Sequence, residues 1–144
     1  MLKRVIGFLK YNGEKWMTIT VYIYAAYYRM CMLFIPKPRL EKKMGIRGVE
    51  SEAEVPLNDI KMAKLVGFHV NRVTGHTPWE SKCLVRAMTA RKILMKKGIN
   101  TTLYLGVGKE DDKMVAHAWL RCGALYVTGG NGSQYATVAK FKAF

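Results

Sequence analysis

Cys83 and His117 are the two side chains of this chain whose types and placement could carry out nucleophilic chemistry. Cys83 follows Thr77-Pro78-Trp79-Glu80, which matches a capping box with proline at the first helical position, and Ser81 is a second candidate cap. Cys83 is therefore expected close to the N-terminal end of a helix. There the unpaired backbone N–H groups and the helix dipole favour a thiolate, which is the nucleophilic form of cysteine.

His117 stands in the sequence AHAW, on a predicted strand over Met114–Arg121 whose odd positions share one face. Imidazole titrates near ~6.5, so it can take and return a proton at neutral pH. A helix that is followed by a sheet can pack Cys83 against a strand face, which makes His117 the candidate base. Three alternatives stay open: a buried structural Cys83, a hydrogen-bonded core His117, and a metal site with Cys122 that has an incomplete ligand set.

The periodicity around these residues predicts helices first and strands afterwards. Apolar residues recur at helical spacing from Met62 to Val73, and a second helix contains Cys83 and ends at Lys96-Lys97-Gly98. The period then changes to two, and a charged turn is expected at Gly108–Lys113. The predicted strands, which we expect to form an antiparallel meander, are Thr101–Val107, Met114–Arg121, Ala124–Thr128 and Gln134–Phe141.

Residues 1–56 differ in composition from the rest and are predicted to form an N-terminal helical unit, with 57–144 as the second unit. Trp16–Ile35 is apolar with Arg29 as its single charge, and its length approaches that of a membrane span. The arginine and the polar side chains make a membrane span the least favoured interpretation. A core or docking segment is favoured first, and an interfacial or partner-facing segment second. Arg39–Pro56 is charged and poorly periodic, which predicts a linker or exposed loop.

Composition and charge narrow the class of protein. The chain has 144 residues, enough for one domain, and half of them are apolar, as in a globular protein. The net charge of +14 favours anionic partners: an acidic peptide, nucleic acid or lipid headgroups. No nucleic-acid-binding signature and no glycine-rich phosphate loop is present. Three widely spaced cysteines and the lack of a persuasive signal peptide predict free thiols and a cytoplasmic location.

Four segments in order, TPWESKCLVRA, KKGI, TTLYLGV and AHAWLRCGALYVTGG, resemble the transglutaminase-like leader peptidases of lasso-peptide biosynthesis. The resemblance runs from about Val70 to the C-terminus, and the apolar, basic N-terminal segment resembles that family less specifically. It implies an α+β fold, with an N-terminal helical segment and a transglutaminase/papain-like core. In that core the catalytic helix packs on an antiparallel sheet.

The same resemblance implies a bacterial cysteine protease with Cys83 as nucleophile and His117 as base. Such an enzyme removes the leader from a ribosomally made precursor peptide before a separate cyclase closes the ring. Trp79 and Trp119 are expected to contribute to the substrate and oxyanion pocket, although packing is the simpler role for Trp119. The chemistry requires no metal and no cofactor.

A third catalytic residue is harder to assign. The family usually has an aspartate on the strand after the histidine, but Tyr126–Asn131 contains no acid. Thr128 is the candidate nearest to that position, and Asn131 is the alternative. A carbonyl or amide oxygen can also orient an imidazole, as in papain-like sites.

The expected partners follow from the resemblance. They are the precursor peptide, a separate leader-recognition protein that docks on residues 16–38, and the cyclase as a further candidate. Membrane association through 16–38 is a less favoured alternative, and no nucleic-acid partner is expected. Two other functions stay open: a transglutaminase-type acyltransferase that uses an amine in place of water, and a non-catalytic basic module that binds peptide or nucleic acid.

Overall fold

The computed structural model describes residues 15–75 and 83–143, which form helices packed on one antiparallel sheet. The helices in this part of the chain are α1 (Lys15–Phe34), α2 (Lys37–Met44), α3 (Leu57–Thr74) and α4 (Cys83–Lys96). The strands are β1 (Ile46–Arg47), β2 (Thr102–Glu110), β3 (Lys113–Cys122), β4 (Leu125–Thr128) and β5 (Ala136–Lys142). The α+β prediction is confirmed.

The sheet has the strand order β1-β5-β2-β3-β4, so the predicted meander is wrong for its last strand. β2, β3 and β4 are sequential neighbours, but β5 crosses back to pair with β2, where Phe141 lies opposite Leu103. Alternation along a sequence identifies a strand without identifying its neighbour. The pairing is decided by which edge offers unpaired backbone groups and a place to bury Phe141.

The β2–β3 hairpin positions His117 opposite Gly106 and Trp119 opposite Tyr104. Its turn consists of Asp111 and Asp112, which have φ values of 50° and 63°. Two consecutive residues with positive φ are typical of a type I′ turn, whose twist matches that of the paired strands. The strands are thus longer, and the turn shorter, than the predicted segment Gly108–Lys113.

The hydrophobic core lies between the helices and one face of the sheet. β3 contributes its even positions to this face, and the buried side chains there are Ala118, Leu120 and Cys122. Helix side chains that belong to the same cluster include Val21 and Ala25 of α1, Val66 and Val70 of α3, and Ala87 and Leu94 of α4. The odd positions of β3 therefore point to the other face of the sheet.

That other face carries a polar and aromatic layer organised around Arg121. The Nε of Arg121 donates to the Tyr104 hydroxyl at 3.0 Å, and its Nη2 donates to the Ser51 carbonyl at 3.0 Å. The Ser51 N–H in turn donates to the Thr102 hydroxyl oxygen at 2.8 Å. These bonds hold the segment before α3 across the sheet.

The N-terminal segment is helical, and α1 buries Val21, Ala25, Tyr28 and Cys31 along one face. The predicted linker over Arg39–Pro56 is wrong in its first part, which forms α2 and β1. Only Leu40 and Met44 of α2 are buried. Because charged residues surround this i, i+4 pair in the sequence, the helical period is not evident there. Core side chains from both sides of position 56 belong to one cluster.

Within 15–75 and 83–143, no helix has the length and apolar character needed to cross a membrane.

Replacing Tyr28 with phenylalanine tests the packing of α1 on α4. Burial raises the pKa of Tyr28 to about 12, with the nearby Arg91 cation opposing the shift. An unfolded tyrosine ionises near ~10, so the neutral phenol's contribution to stability is complete below that pH and is lost as the pH rises towards 12. We expect the unfolding free energy of the natural chain to fall by about 2 kcal/mol more than that of Tyr28→Phe between pH 9 and 12. Urea titrations that give the same fall in unfolding free energy between pH 9 and pH 12 for both proteins would contradict this.

Candidate active site

Cys83 is the first described residue of α4 and is half-buried. Its side chain packs at the edge of the hydrophobic core cluster. The predicted caps Thr77-Pro78-Trp79-Glu80 and Ser81 lie outside the described residues, as does the proposed pocket role of Trp79. The structure thus places Cys83 on a helix, as the sequence predicts.

A cleft of about 620 Å³ opens at Cys83. Its walls are mainly apolar, with Met32, Ile35, Leu40 and Met44 from the N-terminal helices and Leu105, Val107, Ala118 and Val138 from the sheet. Lys37 and Glu41 supply charge, and His117 also lines the cleft. Cys83 and His117 both contribute to the lining of this cleft, and α1 and α2 complete it.

The His117 ring lies on the sheet face that carries Trp119 and Arg121. It stacks on Tyr135 with a centroid distance of 4.5 Å and on Trp119 at 6.0 Å. The helices, including α4, pack on the opposite face. Among the described residues no hydrogen bond joins the Cys83 thiol to the His117 imidazole, and the catalytic assignment of the pair stays a prediction.

A backbone carbonyl orients the imidazole. His117 Nε2 and the Gly129 carbonyl oxygen are 2.7 Å apart. Because a carbonyl can only accept, Nε2 carries the hydrogen and donates it. In the neutral ring Nδ1 then carries the lone pair that can accept a proton.

The candidate third members Thr128 and Asn131 make no hydrogen bond to His117 in the described part of the chain. Thr128 is buried and its hydroxyl has no hydrogen-bond partner there. The Asn131 side-chain oxygen instead accepts from the Ser133 N–H at 3.0 Å. Gly129 is the residue after Thr128, and sequence reasoning did not single it out because a carbonyl has no side-chain signature.

Trp119 supports His117 and is itself enclosed by glycines. It is 3% exposed and stacks on Tyr104 with a centroid distance of 5.5 Å and an interplanar angle of 11°. A Cβ at Gly106 would come within 2.8 Å of the indole, and one at Gly132 would overlap it. Trp119 does not line the cleft, so its observed role is to pack beneath the imidazole.

The remaining thiols are placed in the core. Cys31 and Cys122 are both buried. Burial raises the pKa of the Cys122 thiol, and the nearby Asp59 carboxylate adds to the shift. The described residues contain no group of three His, Cys, Asp or Glu side chains that could hold a metal ion, so they offer no support for the alternative metal site with Cys122.

Residues 38–141 match a family model described as the transglutaminase-like superfamily. The matched segment includes Cys83, His117 and Gly129, and it begins in α2, ahead of position 57. No curated protein and no solved structure matches the chain significantly.

Thiol labelling tests the placement of the three cysteines. We expect a bulky aromatic disulfide reagent to modify one thiol rapidly in the folded protein, because Cys83 is half-buried whereas Cys31 and Cys122 are buried. The Cys83→Ala protein should show no rapid phase, and denaturation should expose its two other thiols. Rapid modification of folded Cys83→Ala would contradict the described packing.

Substituting neighbouring glycines tests the contact that aligns His117. Gly129 and Gly130 have φ values of +77° and +76°, so alanine at either position carries the same left-handed penalty of about 1–2 kcal/mol. Only at Gly129 does a new Cβ overlap the Ala118 carbonyl oxygen and approach Trp119 Cβ at 2.8 Å. We expect Gly129→Ala to unfold in urea with about 1–3 kcal/mol less stability than Gly130→Ala. Equal stabilities would show that the loop does not pack on β3.

Proposed function

The chain belongs to the transglutaminase-like superfamily, and on that premise we propose that it is a cysteine peptidase. Cys83 is the nucleophile and His117 is the base. The observation that carries this proposal is the half-buried Cys83 at the N-terminal end of α4, facing a large cleft that His117 also lines. A thiol in that position is accessible to substrate and close to the N–H groups of the first helical turn.

The substrate we propose is a lasso-peptide precursor, from which the enzyme removes the leader. Two observations support a peptide substrate. The ordered segments from Val70 to the C-terminus resemble leader peptidases, and the cleft is lined by apolar side chains on both walls. An apolar cleft of about 620 Å³ can hold the side chains that flank a scissile bond.

The reaction begins when His117 takes the proton of the Cys83 thiol, and the resulting thiolate attacks the scissile carbonyl carbon and forms a tetrahedral oxyanion. The backbone N–H of Cys83 is a candidate donor to that oxygen. Collapse breaks the C–N bond and leaves a thioester, while His117 gives a proton to the departing amine. His117 then takes a proton from water, which attacks the thioester and releases the acid and the free thiol.

Proton transfer requires the imidazole and the sulfur to come within hydrogen-bond reach. Catalytic hydrogen bonds are often long or misaligned before substrate binds and tighten in the complex. In the described chain β4 pairs with β3 from Leu120 onward, so His117 lies on a stretch paired on one side. A bulge between Leu105 and Gly106 adjoins this stretch, and bulges commonly re-aim side chains beside active sites. We propose that the sulfur and the imidazole meet at this open edge of β3 when substrate binds, with the register of Trp119 and Arg121 unchanged.

Acyl transfer to an amine is the second candidate, because the superfamily match fits an acyltransferase as well as a peptidase. Both reactions pass through the same Cys83 thioester and differ in whether water or an amine attacks it. The proposed partner for the peptidase is a leader-recognition protein that docks on residues 16–38, whose exposed side chains include Met30, Leu33 and Phe34.

Mass spectrometry of a lasso precursor, incubated with the enzyme and a leader-recognition protein, tests the proposal. We expect a mass loss equal to the leader. Cys83→Ala and His117→Ala should each lower the cleavage rate by about 10³-fold or more, because they remove the nucleophile and the base. Asn131→Ala, a control on the same loop, should retain nearly full activity because the Gly129 carbonyl orients the ring.

Each outcome separates the candidate functions. A product that carries an added amine would assign the acyltransferase. Full cleavage by folded Cys83→Ala would exclude cysteine chemistry at this position. Tight precursor binding without any mass change would identify a non-catalytic module.

A further inference from the structure

A groove separate from the cleft lies between α1 and the C-terminal half of α4. Two adjoining cavities of about 350 and 360 Å³ form it, and Tyr24 lines both of them. The side chains that give it its chemistry are five cations, Lys43, Arg91, Lys92, Lys96 and Lys97, and four aromatic residues, Trp16, Tyr24, Tyr27 and Tyr28. We call it the basic–aromatic groove.

Every charged side chain among the described residues that line the basic–aromatic groove is positive. No carboxylate is among the described residues that line it, and the sequence of α1 contains no acidic residue. Two of its lysines are held against the aromatic rings. Lys43 Nζ donates to the Tyr27 hydroxyl at 3.0 Å, and Lys96 Nζ lies 5.6 Å from the centre of the Tyr24 ring. These two lysines are therefore positioned in advance for an anionic ligand.

The floor of the groove also offers exposed apolar surface. Trp16 is 72% exposed and Ile23 is 60% exposed, and both project from the same side of α1 as Tyr27. Exposed apolar residues bordered by polar groups are typical of protein or peptide binding sites. The combination of apolar surface and positive charge complements a peptide in which acidic and apolar side chains are mixed.

Helix α1 connects this groove to the cleft at Cys83. Tyr24 lines the groove and Met32 lines the cleft, eight residues further along the same helix. Eight helical residues span about 12 Å, which is the length of about four residues of extended peptide. An extended peptide of that length therefore spans the axial separation between the groove and the cleft.

From these observations we infer that the basic–aromatic groove is an exosite for an acidic, partly apolar segment of the peptide substrate. That segment lies about four residues or more from the scissile bond. The inference rests on the proposed function for its link to cleavage. The groove itself is a binding site whose occupancy can be measured without catalysis.

Fluorescence anisotropy on the full-length Cys83→Ala protein tests the exosite. The probe is a fluorescein-labelled peptide of about 12 residues, alternating Glu with Leu and Phe, which spans α1 when extended. Its matched control has Gln in place of each Glu. We expect the Glu peptide to bind at least about tenfold more tightly at low ionic strength, and this preference should diminish as salt is added.

Two charge-matched variants locate the site. The double variant Lys92→Gln and Lys96→Gln should weaken binding of the Glu peptide at least about fivefold. The control removes the same charge from exposed positions of α3, Lys61→Gln with Lys64→Gln, and should leave the Kd within about twofold. Equal effects of the two variants would overturn the inference, because the peptide would then respond to net charge alone.

Two further results would overturn the exosite. One is equal affinity for the Glu and Gln peptides. The other is displacement of the Glu peptide by a single-stranded oligonucleotide that binds more tightly than the peptide. If the oligonucleotide also loses affinity for the Lys92/Lys96 variant, the groove is a nucleic-acid site. Either result leaves Cys83-dependent cleavage untouched, whereas a failure of the peptidase proposal would leave the binding result standing.

Discussion

The alternation of side chains along β3 is the constraint on which the rest of this structure depends. Even positions enter the core, where Leu120 and Cys122 are fully buried beneath the helices. Odd positions must therefore form the opposite layer, in which Trp119 and Arg121 are held by stacking and hydrogen bonds. A shift of one residue would move Arg121 into the core and expose Leu120. Because His117 is in register with Trp119 and Arg121, it lies on the same face of the sheet as these residues.

Trp119 extends that constraint to the candidate site. The indole is the platform on which the imidazole stacks, and the glycine-rich loop after β4 closes over it. The loop delivers the Gly129 carbonyl to His117 Nε2, which selects the tautomer with a basic Nδ1. An aspartate performs this service in the family that the chain resembles. A carbonyl can align the ring, but unlike a carboxylate it carries no full negative charge.

The helices before position 57 line both the cleft and the basic–aromatic groove. α1 and α2 supply Met32 and Met44 to the cleft at Cys83, and α1 also supplies Tyr24 to the basic–aromatic groove. One rigid helix thus relates the two cavities by a distance set by its rise per residue. The apolar character of Trp16–Ile35, which in isolation resembles a short membrane span, is divided between core packing on one side and two solvent-facing cavities on the other.

Local patterns are sufficient to predict the α+β class, the two helices that flank residue 75 and most strand positions. Each of these depends on residue type and spacing within a short window. The crossing of β5 to β2, the burial of Leu40 and Met44, and the assembly of the cleft all depend on contacts between residues far apart in sequence. Tertiary structure alone decided that a backbone carbonyl contacts His117 and that its ring lies on the sheet face opposite the helices. Backbone atoms are common to every residue, so the Gly129 contact has no side-chain signature. Alternation groups His117 with Trp119 and Arg121, but which of the two faces meets the helices is decided by the elements that pack there.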